Sequence, residues 1–250
     1  MDEDVKFAKE MLQPLDSKII HYKYDLAKLI SLYFKFWRGL KKIAGTASGF
    51  TGLSEYIILR AILMYLNEKL GIDFRPCSKV VDPKTREAYS YFFISSDKKI
   101  IITHSTSINN QLKNRVRSKL KRDIVWRDNA NKLRPDFVIF KAVNDRYVPV
   151  AVVQVKIYPV NTSAISSEKK NFEKMDIESL FMAIILFCEV KESKRKRKEN
   201  RTAFEILHEI VNNYKERVVI LMLKDEDQVT SLPQNNNFET LLDKILQRLR

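Results

Sequence analysis

Glycine, proline, cysteine and histidine are all scarce in this sequence. Only 5 glycines and 7 prolines occur in 250 residues, which favours regular helices and strands over a loop-rich scaffold. The 2 cysteines, Cys77 and Cys188, are far apart, so they form neither a disulfide framework nor a zinc motif and are typical of a reducing cytoplasm. Histidine occurs without metal-ligand spacing, at His21, His104 and His208. Any bound metal is therefore expected to have oxygen ligands.

Long apolar segments are also lacking. No apolar run reaches the length of a membrane span, and the first residues, Met1 to Asp4, are acidic where a signal peptide would be basic. We therefore expect a soluble, cytoplasmic protein without a membrane partner.

Basic residues, in contrast, are abundant. Lys and Arg number 45 against 31 Asp and Glu, which gives a formal net charge of +14. Such a charge attracts polyanions, of which nucleic acid is the most common. The run that we expect to contact DNA has no acidic residue and comprises Lys113, Arg115, Arg117, Lys119, Lys121 and Arg122. A second run, residues 194–198, is typical of a solvated loop, and its role stays open.

Hydrophobic periodicity predicts an α/β domain with a mixed central sheet flanked by helices. Strands that pair first as hairpins and later alternate with helices imply this arrangement. The predicted helices are residues 4–42, 53–70 with Gly71 as the C-cap, 111–122, 166–179, 201–215 and 238–249. The predicted strands are residues 89–94, 99–104, 136–140, 148–158, 180–189 and 217–223, with turns at 95–98 and 144–146.

One predicted strand contains two polar residues among apolar ones. Side chains alternate between the faces of a strand, so Gln154 and Lys156 share one face. Burying two unpaired polar groups would cost roughly 1–3 kcal/mol each, so both need partners. The hairpin brings the carboxylate of Asp136 beside them. The structural alternative is that Asp136 caps a turn, Gln154 bonds to backbone and Lys156 extends to solvent.

These residues resemble a known motif. Arg134-Pro135-Asp136, followed by Gln154-Val155-Lys156 at the end of a strand, is similar to the motif of the PD-(D/E)xK nuclease superfamily. That superfamily includes restriction endonucleases, Holliday-junction resolvases and Mrr-like enzymes. The resemblance implies a restriction-endonuclease-like αβββαβ core, which matches the predicted element order from Leu53 to Glu189. Most members have glutamate where this chain has Gln154, but Mrr-like members are similar in carrying glutamine.

The resemblance also implies a divalent metal site for Mg²⁺, with Mn²⁺ as a substitute. Its implied ligands are Asp136, the side-chain oxygen of Gln154 and the backbone carbonyl of Val155. Glu55 corresponds to a glutamate that some members supply from the first core helix; the alternative is that Glu55 only interacts with the helix dipole. Lys156 is expected to position the attacking water or to stabilise negative charge on the phosphate.

The expected activity is therefore that of a metal-dependent endodeoxyribonuclease acting on double-stranded DNA, similar to a type II restriction enzyme. Cutting both strands with one site per chain implies a homodimer. Two alternatives stay open: a structure-selective junction or repair nuclease, and a non-catalytic DNA-binding protein on the same fold. Residues 1–50 are predicted to be an N-terminal helical segment and residues 51–250 the nuclease domain. The glycine cluster from Gly45 to Gly52 lacks a P-loop lysine, so no nucleotide cofactor is expected.

Overall fold

A mixed β-sheet flanked by helices on both faces confirms the predicted α/β class. The structure is a computed structural model that describes residues 14–44, 51–77, 80–81, 88–89, 92–104, 108, 110–126, 135–157, 162–174, 180–188, 190, 202–225 and 228–250. The helices are α1 (described over residues 14–22), α2 (Leu26–Ala44), α3 (Thr51–Leu70), α4 (Asn110–Leu120), α5 (Thr162–Lys174), α6 (Ala203–Tyr214) and α7 (Phe238–Leu249). The strands are β1 (Phe74–Cys77), β2 (Val80–Val81), β3 (Ala88–Tyr89), β4 (Phe92–Ser95), β5 (Ile100–Thr103), β6 (Asp123–Ile124), β7 (Phe137–Val143), β8 (Arg146–Lys156), β9 (Phe181–Leu186), β10 (Val218–Asp225) and β11 (Gln228–Leu232).

The main sheet has nine strands in the order β1-β4-β5-β7-β8-β9-β10-β11, with β6 paired to β8. Strands β1, β4, β5, β7 and β8 are joined antiparallel, whereas β8-β9 and β9-β10 are parallel. Helices α5 and α6 provide the crossovers that parallel neighbours require. Strand β8 therefore lies between the antiparallel strands on one side and the parallel pairs β8-β9 and β9-β10 on the other, beyond which β11 pairs antiparallel with β10.

The two faces of the sheet support separate hydrophobic cores. Alternate residues of β8 divide between them: Val153 and Val155 belong to one core and Val152 to the other. We call the first the α3 face, because α1, α2, α3 and α7 pack there, and the second the α5 face, because α4, α5 and α6 pack there. Both faces are covered, which explains why β9 is buried throughout.

Helix ends follow local capping chemistry. Helix α7 has the predicted bounds and begins after Asn237, whose side chain accepts a hydrogen bond from the Thr240 amide at 2.8 Å. Helix α3 ends at Gly71, which has a φ of 65° and donates its amide to the Asn67 carbonyl, as predicted for a C-cap. Among the described residues, none of the helices combines the length and apolar character needed to span a bilayer.

The N-terminal helical segment packs on the α3 face. Its pattern is interrupted at Lys23, which has a φ of 49° and separates α1 from α2. Leu15, Ile30 and Tyr33 are buried in the same core as α3 and α7. The ring of Tyr33 meets that of Phe187, which follows β9, at a centroid distance of 5.4 Å. The segment thus shares its core with the sheet, while the domain boundary at residue 50 stays a prediction.

Several expectations need correction or lie outside the described residues. Strands β1 and β11 were not predicted, although each pairs at one edge of the main sheet. The predicted strand from Tyr89 to Ile94 is divided between β3 and β4, and these pair with different partners. Thr51 and Gly52, expected in the glycine-rich loop, begin α3. Predictions that fall on residues 4–13, 45–50, 90–91, 134, 158, 175–179, 189 and 194–198 concern positions outside the described part of the chain.

Candidate active site

The β7-β8 hairpin brings Asp136 beside Gln154, as the sequence predicts. Phe137 pairs with Val153 in the antiparallel register, so the preceding residue, Asp136, meets the next one along β8. The turn at Asn144 and Asp145 sets the register of the pairs next to it, and a β-bulge between Ile139 and Phe140 shifts that register by one residue, which places Asp136 opposite Gln154. Gln154 is 4% exposed, which makes it one of few buried polar side chains in the described residues.

One carboxylate oxygen of Asp136 accepts two hydrogen bonds. The Gln154 side-chain amide donates to Asp136 Oδ2 at 2.8 Å, and the Val155 backbone N–H donates to the same oxygen at 2.6 Å. Burial raises the pKa of Asp136 to about 6, although the Val155 bond and the charge of Lys156 favour the ionised form. The negative charge of Glu168 raises it further. Asp136 is thus a buried carboxylate whose ionisation is disfavoured without a further positive charge.

Lys156 is held by an acidic side chain from the α5 face. Its ammonium lies 2.8 Å from Glu168 Oε1, and the two side chains are 33% and 14% exposed. Glu168 lies on α5, three residues after the buried Ile165, so both face the sheet. The sequence-based hypothesis omitted Glu168, and the helical spacing from Ile165 is the signal that would have identified it.

Glu55 approaches the same group from the α3 face. Burial raises its pKa to about 7, the charge of Asp136 raises it as well, and Lys156 opposes the increase. Helix α3 begins at Thr51, earlier than predicted, and has no acidic residue in its first turn. The alternative in which Glu55 serves only the helix dipole therefore loses its geometric basis.

His104 is a further residue beside Glu55 that the sequence did not assign to the site. Its Nδ1 lies 3.7 Å from Glu55 Oε2, which is too long for a hydrogen bond. Burial lowers the pKa of His104, so a neutral imidazole fits this position better than a charged ion pair. The ring also contacts Phe137 edge-on at a centroid distance of 4.8 Å, which places His104 between α3 and β7.

The donor chemistry of this group fits a hard divalent cation. Asp136 and Glu55 supply carboxylate oxygens in a partly buried setting, where a positive charge would favour their ionisation. Within the described residues, no three His, Cys, Asp or Glu side chains already converge as a metal-binding group. Mg²⁺ does not require such a group, because it keeps several waters and is held by one or two carboxylates together with substrate phosphates. Ligation by the Gln154 oxygen and the Val155 carbonyl stays a prediction.

The predicted DNA-contacting residues lie on or just after α4, which packs on the α5 face. Arg122 donates to the Lys98 carbonyl at 2.8 Å and lies beside Asn144, at the turn of the hairpin. The strand from Asp136 to that turn spans roughly 25 Å, so Arg122 is far from the site. Further along the run, Arg117 pairs with Asp123 and Lys113 donates to the Trp126 carbonyl. Lys119 and Lys121 are exposed.

A separate surface cavity of about 580 Å³ lies at the other end of α3. Its lining includes Tyr24, Glu68 and Glu239. Glu68 follows Glu55 by thirteen positions on the same helix, which corresponds to about 20 Å. The Tyr24 hydroxyl donates to Glu68 at 2.8 Å, and the acidic lining does not favour a polyanion. The cavity therefore does not belong to the group around Asp136.

Comparison of the chain with models of known protein families, with curated proteins and with solved structures gives no match.

Proposed function

We propose that this chain is a metal-dependent endodeoxyribonuclease that hydrolyses phosphodiester bonds of double-stranded DNA. The observation that supports the proposal is the meeting of Asp136, Gln154 and Lys156 at the open end of the β7-β8 hairpin, with Glu55 close enough for its pKa to respond to Asp136. Three of the four residues lie on one hairpin, and Glu55 comes from helix α3, which is distant in sequence. A purely structural explanation would have to account for two carboxylates held close together at a raised pKa.

The element order around the site supports the restriction-endonuclease-like core. Helix α3 precedes the antiparallel strands β5, β7 and β8, and helix α5 then leads to β9, which is parallel to β8. Apart from α4 and β6, which lie between β5 and β7 in the chain, this order corresponds to the helix, three strands, helix and strand that the sequence resemblance implies. Strands β1, β4, β10 and β11 extend the sheet on both sides of this unit.

Each residue has a definite part in the proposed hydrolysis. Asp136 and Glu55 would hold a divalent cation, which would supply positive charge beside the scissile phosphate and lower the pKa of a bound water. Lys156 donates its ammonium protons to the phosphate oxygens or to the attacking water, and stabilises the negative charge that develops. The water oxygen forms a bond to phosphorus, one phosphorus–oxygen ester bond breaks, and the leaving oxygen takes a proton. Gln154 and the Val155 amide hold the Asp136 carboxylate in place.

A plasmid cleavage assay tests the proposal. Supercoiled DNA is incubated with the purified protein in Mg²⁺, in Mn²⁺ and in EDTA. We expect cleavage only with a divalent cation, and we expect Lys156→Ala to lower the rate by about a hundredfold or more. Lys141→Ala, in the neighbouring strand β7, is the control and should leave the rate unchanged.

The form of the cleaved plasmid tests the oligomeric state. Linear product would support a homodimer that cuts both strands, whereas nicked circles would support single-strand cutting. Lack of cleavage of any DNA under all these conditions would contradict the proposal.

One observation favours a second candidate, a non-catalytic DNA-binding protein on the same fold. Gln154 and the Val155 amide both donate to Asp136, so this oxygen is satisfied without a metal. The two candidates differ in their response to cations. A binding protein would retain DNA in EDTA and would leave it intact in Mg²⁺, which gel-shift and cleavage assays on the same sample distinguish.

A further inference from the structure

Strand β8 contributes an amide to the site at the position where most proteins with the resembled motif have a carboxylate. In the structure the Gln154 amide nitrogen lies 2.8 Å from Asp136 Oδ2 and donates to it. The group that faces Asp136 is therefore a hydrogen-bond donor, which cannot bind a cation. If the site holds a divalent cation, β8 leaves it one negative charge short.

Helix α5 presents a carboxylate to the same place. Glu168 is 14% exposed, and its Oε1 lies 2.8 Å from the ammonium of Lys156. Lys156 follows Gln154 by two residues and lies on the same face of β8. A carboxylate has two oxygens and about four lone-pair positions, so a contact with Lys156 leaves capacity for a cation. Helix α5 is also fixed in position, because Lys169 pairs with Glu209 of α6 at 2.6 Å.

We infer that Glu168 supplies the second carboxylate of the active centre, in place of the one that Gln154 lacks, and binds the divalent cation together with Asp136. The inference rests on the proposed nuclease function and adds a catalytic residue to it. Glu168 would then have two partners, Lys156 at one oxygen and the cation at the other.

The charges of the group support this assignment. When ionised, Glu55, Asp136 and Glu168 together exceed the single positive charge of Lys156 by the two charges that a divalent cation carries. Glu168 reaches the site by its contact with Lys156, which shares a face of β8 with Gln154, the partner of Asp136. Without a cation the negatively charged carboxylates repel one another. A bound cation would attract each carboxylate and so offset that repulsion.

Binding of Mn²⁺ to the full chain, measured by titration calorimetry without DNA, tests the inference independently of catalysis. Glu168→Gln should weaken Mn²⁺ binding on the order of tenfold, because the site loses one charged ligand. The matched control is Glu173→Gln on the same helix, where the glutamate is exposed and lies 3.4 Å from the Lys169 ammonium, and Mn²⁺ affinity should not change. Restoring a carboxylate on the strand with Gln154→Glu in the Glu168→Gln background should recover most of the lost affinity.

The outcomes separate the inference from the function on which it rests. If the wild type binds Mn²⁺ and cleaves DNA, and Glu168→Gln binds Mn²⁺ equally well, the assignment of Glu168 is wrong and the nuclease function stands. If Glu168→Gln loses affinity but Gln154→Glu does not restore it, Glu168 acts only by positioning Lys156 and is not a ligand. If the wild type neither binds Mn²⁺ nor cleaves DNA, the proposed function fails as well.

Glu168→Asp is the variant to use if the glutamine variant does not fold. Its shorter acidic side chain should weaken Mn²⁺ binding, and unchanged affinity would again overturn the assignment.

Discussion

Gln154 contributes to the stability of the fold and also lies in the proposed active site. It is buried, and its amide donates a hydrogen bond to Asp136. Replacing the amide with a carboxylate would remove this hydrogen bond and bring two negative charges together. A cation between the two carboxylates would offset their repulsion. The stability of a variant at position 154 therefore indicates whether the site binds a metal.

Gln154→Glu is therefore expected to destabilise the metal-free protein by about 1–3 kcal/mol, since a buried hydrogen bond is replaced by repulsion. Mg²⁺ at a hundred times its dissociation constant should restore about 2.7 kcal/mol, because only the folded site binds it. Thermal unfolding in EDTA and in Mg²⁺ measures both effects. Gln228→Glu, on the exposed part of β11, is the control and should change stability little in either condition. Equal destabilisation in EDTA and Mg²⁺ would indicate that Gln154 has only a structural part.

Asp136→Asn is expected to reduce Mg²⁺-dependent cleavage by at least about a hundredfold. Asparagine keeps an oxygen that can accept the Val155 amide, so the fold should survive, but the site loses an ionised ligand. Cleavage is measured beside DNA binding, which should stay largely intact. Asp145→Asn, at the exposed hairpin turn, is the matched control. Wild-type cleavage by Asp136→Asn would contradict the assignment of this residue.

At the scale of elements, the sequence predicts the strands and helices that have strong local patterns. The apolar run of β8, the tight turn before it and the periodicity of α7 are local, and each was predicted close to its observed bounds. Strand β11 was missed because its residues vary from exposed to buried, and its pairing with β10 stabilises it. Strand β1 was missed for a similar reason, since it has only four residues and contains a proline.

The candidate site likewise contains residues that local sequence patterns identify and residues that only tertiary packing brings together. Asp136, Gln154 and Lys156 were found together because one hairpin joins them, although the β-bulge between Ile139 and Phe140 that sets their register was not predicted. Glu168 and His104 join the group through packing of α5 and β5 against β7 and β8, which depends on tertiary structure. Their residue types alone did not distinguish them from surface glutamates or other histidines.

Helix α4 is the element to which the DNA-binding prediction belongs. Arg117 and Arg122 bond to other groups of the protein, so we expect the phosphate contacts to come mainly from Arg115, Lys119 and Lys121. Replacing these three with alanine should reduce the slope of log affinity against log salt by about 0.9 per lost contact. Filter binding at several salt concentrations measures the slope. Alanine at Lys18, Lys35 and Lys244, on helices of the α3 face, provides a control with the same change in charge. If both triple variants change the slope equally, net charge and not α4 is responsible.

At the scale of the whole molecule, a basic protein contains an acidic site. The net charge of +14 attracts a polyanion, whereas Glu55, Asp136 and Glu168 repel a phosphate that enters the site. A divalent cation bound as proposed would remove that conflict at the site without affecting the long-range attraction. The proposed site would therefore couple cation binding, protonation of the carboxylates and stability of the fold.

The raised pKa values of Glu55 and Asp136 predict how the stability of the folded protein depends on pH. The folded-state pKa of Glu55 is raised from 4.5 to about 7 and that of Asp136 from 3.8 to about 6, so between these values the folded protein binds more protons than the unfolded chain. Their contribution to stability is thus fully present below pH 4 and is lost as the pH rises towards 7. The groups that face them include Lys156, which opposes the shifts, Glu168, which adds to that of Asp136, and His104, whose lowered pKa acts in the opposite sense.

Thermal unfolding of wild type and Glu55→Gln, in EDTA from pH 4 to pH 8, isolates the contribution of Glu55 because both proteins share the remaining groups. We expect wild type to lose stability relative to the variant as the pH rises through this range, since only wild type has to ionise a buried Glu55. With Mg²⁺ the trend should reverse for wild type and change less for the variant, because the variant keeps Asp136 but lacks one of the carboxylates that would bind the cation. Glu216→Gln, in the short helix Lys215–Arg217, is the control for the loss of one acidic residue. A difference between wild type and Glu55→Gln that is constant across the pH range would show that Glu55 ionises normally, and it would remove the electrostatic basis for placing a cation beside it.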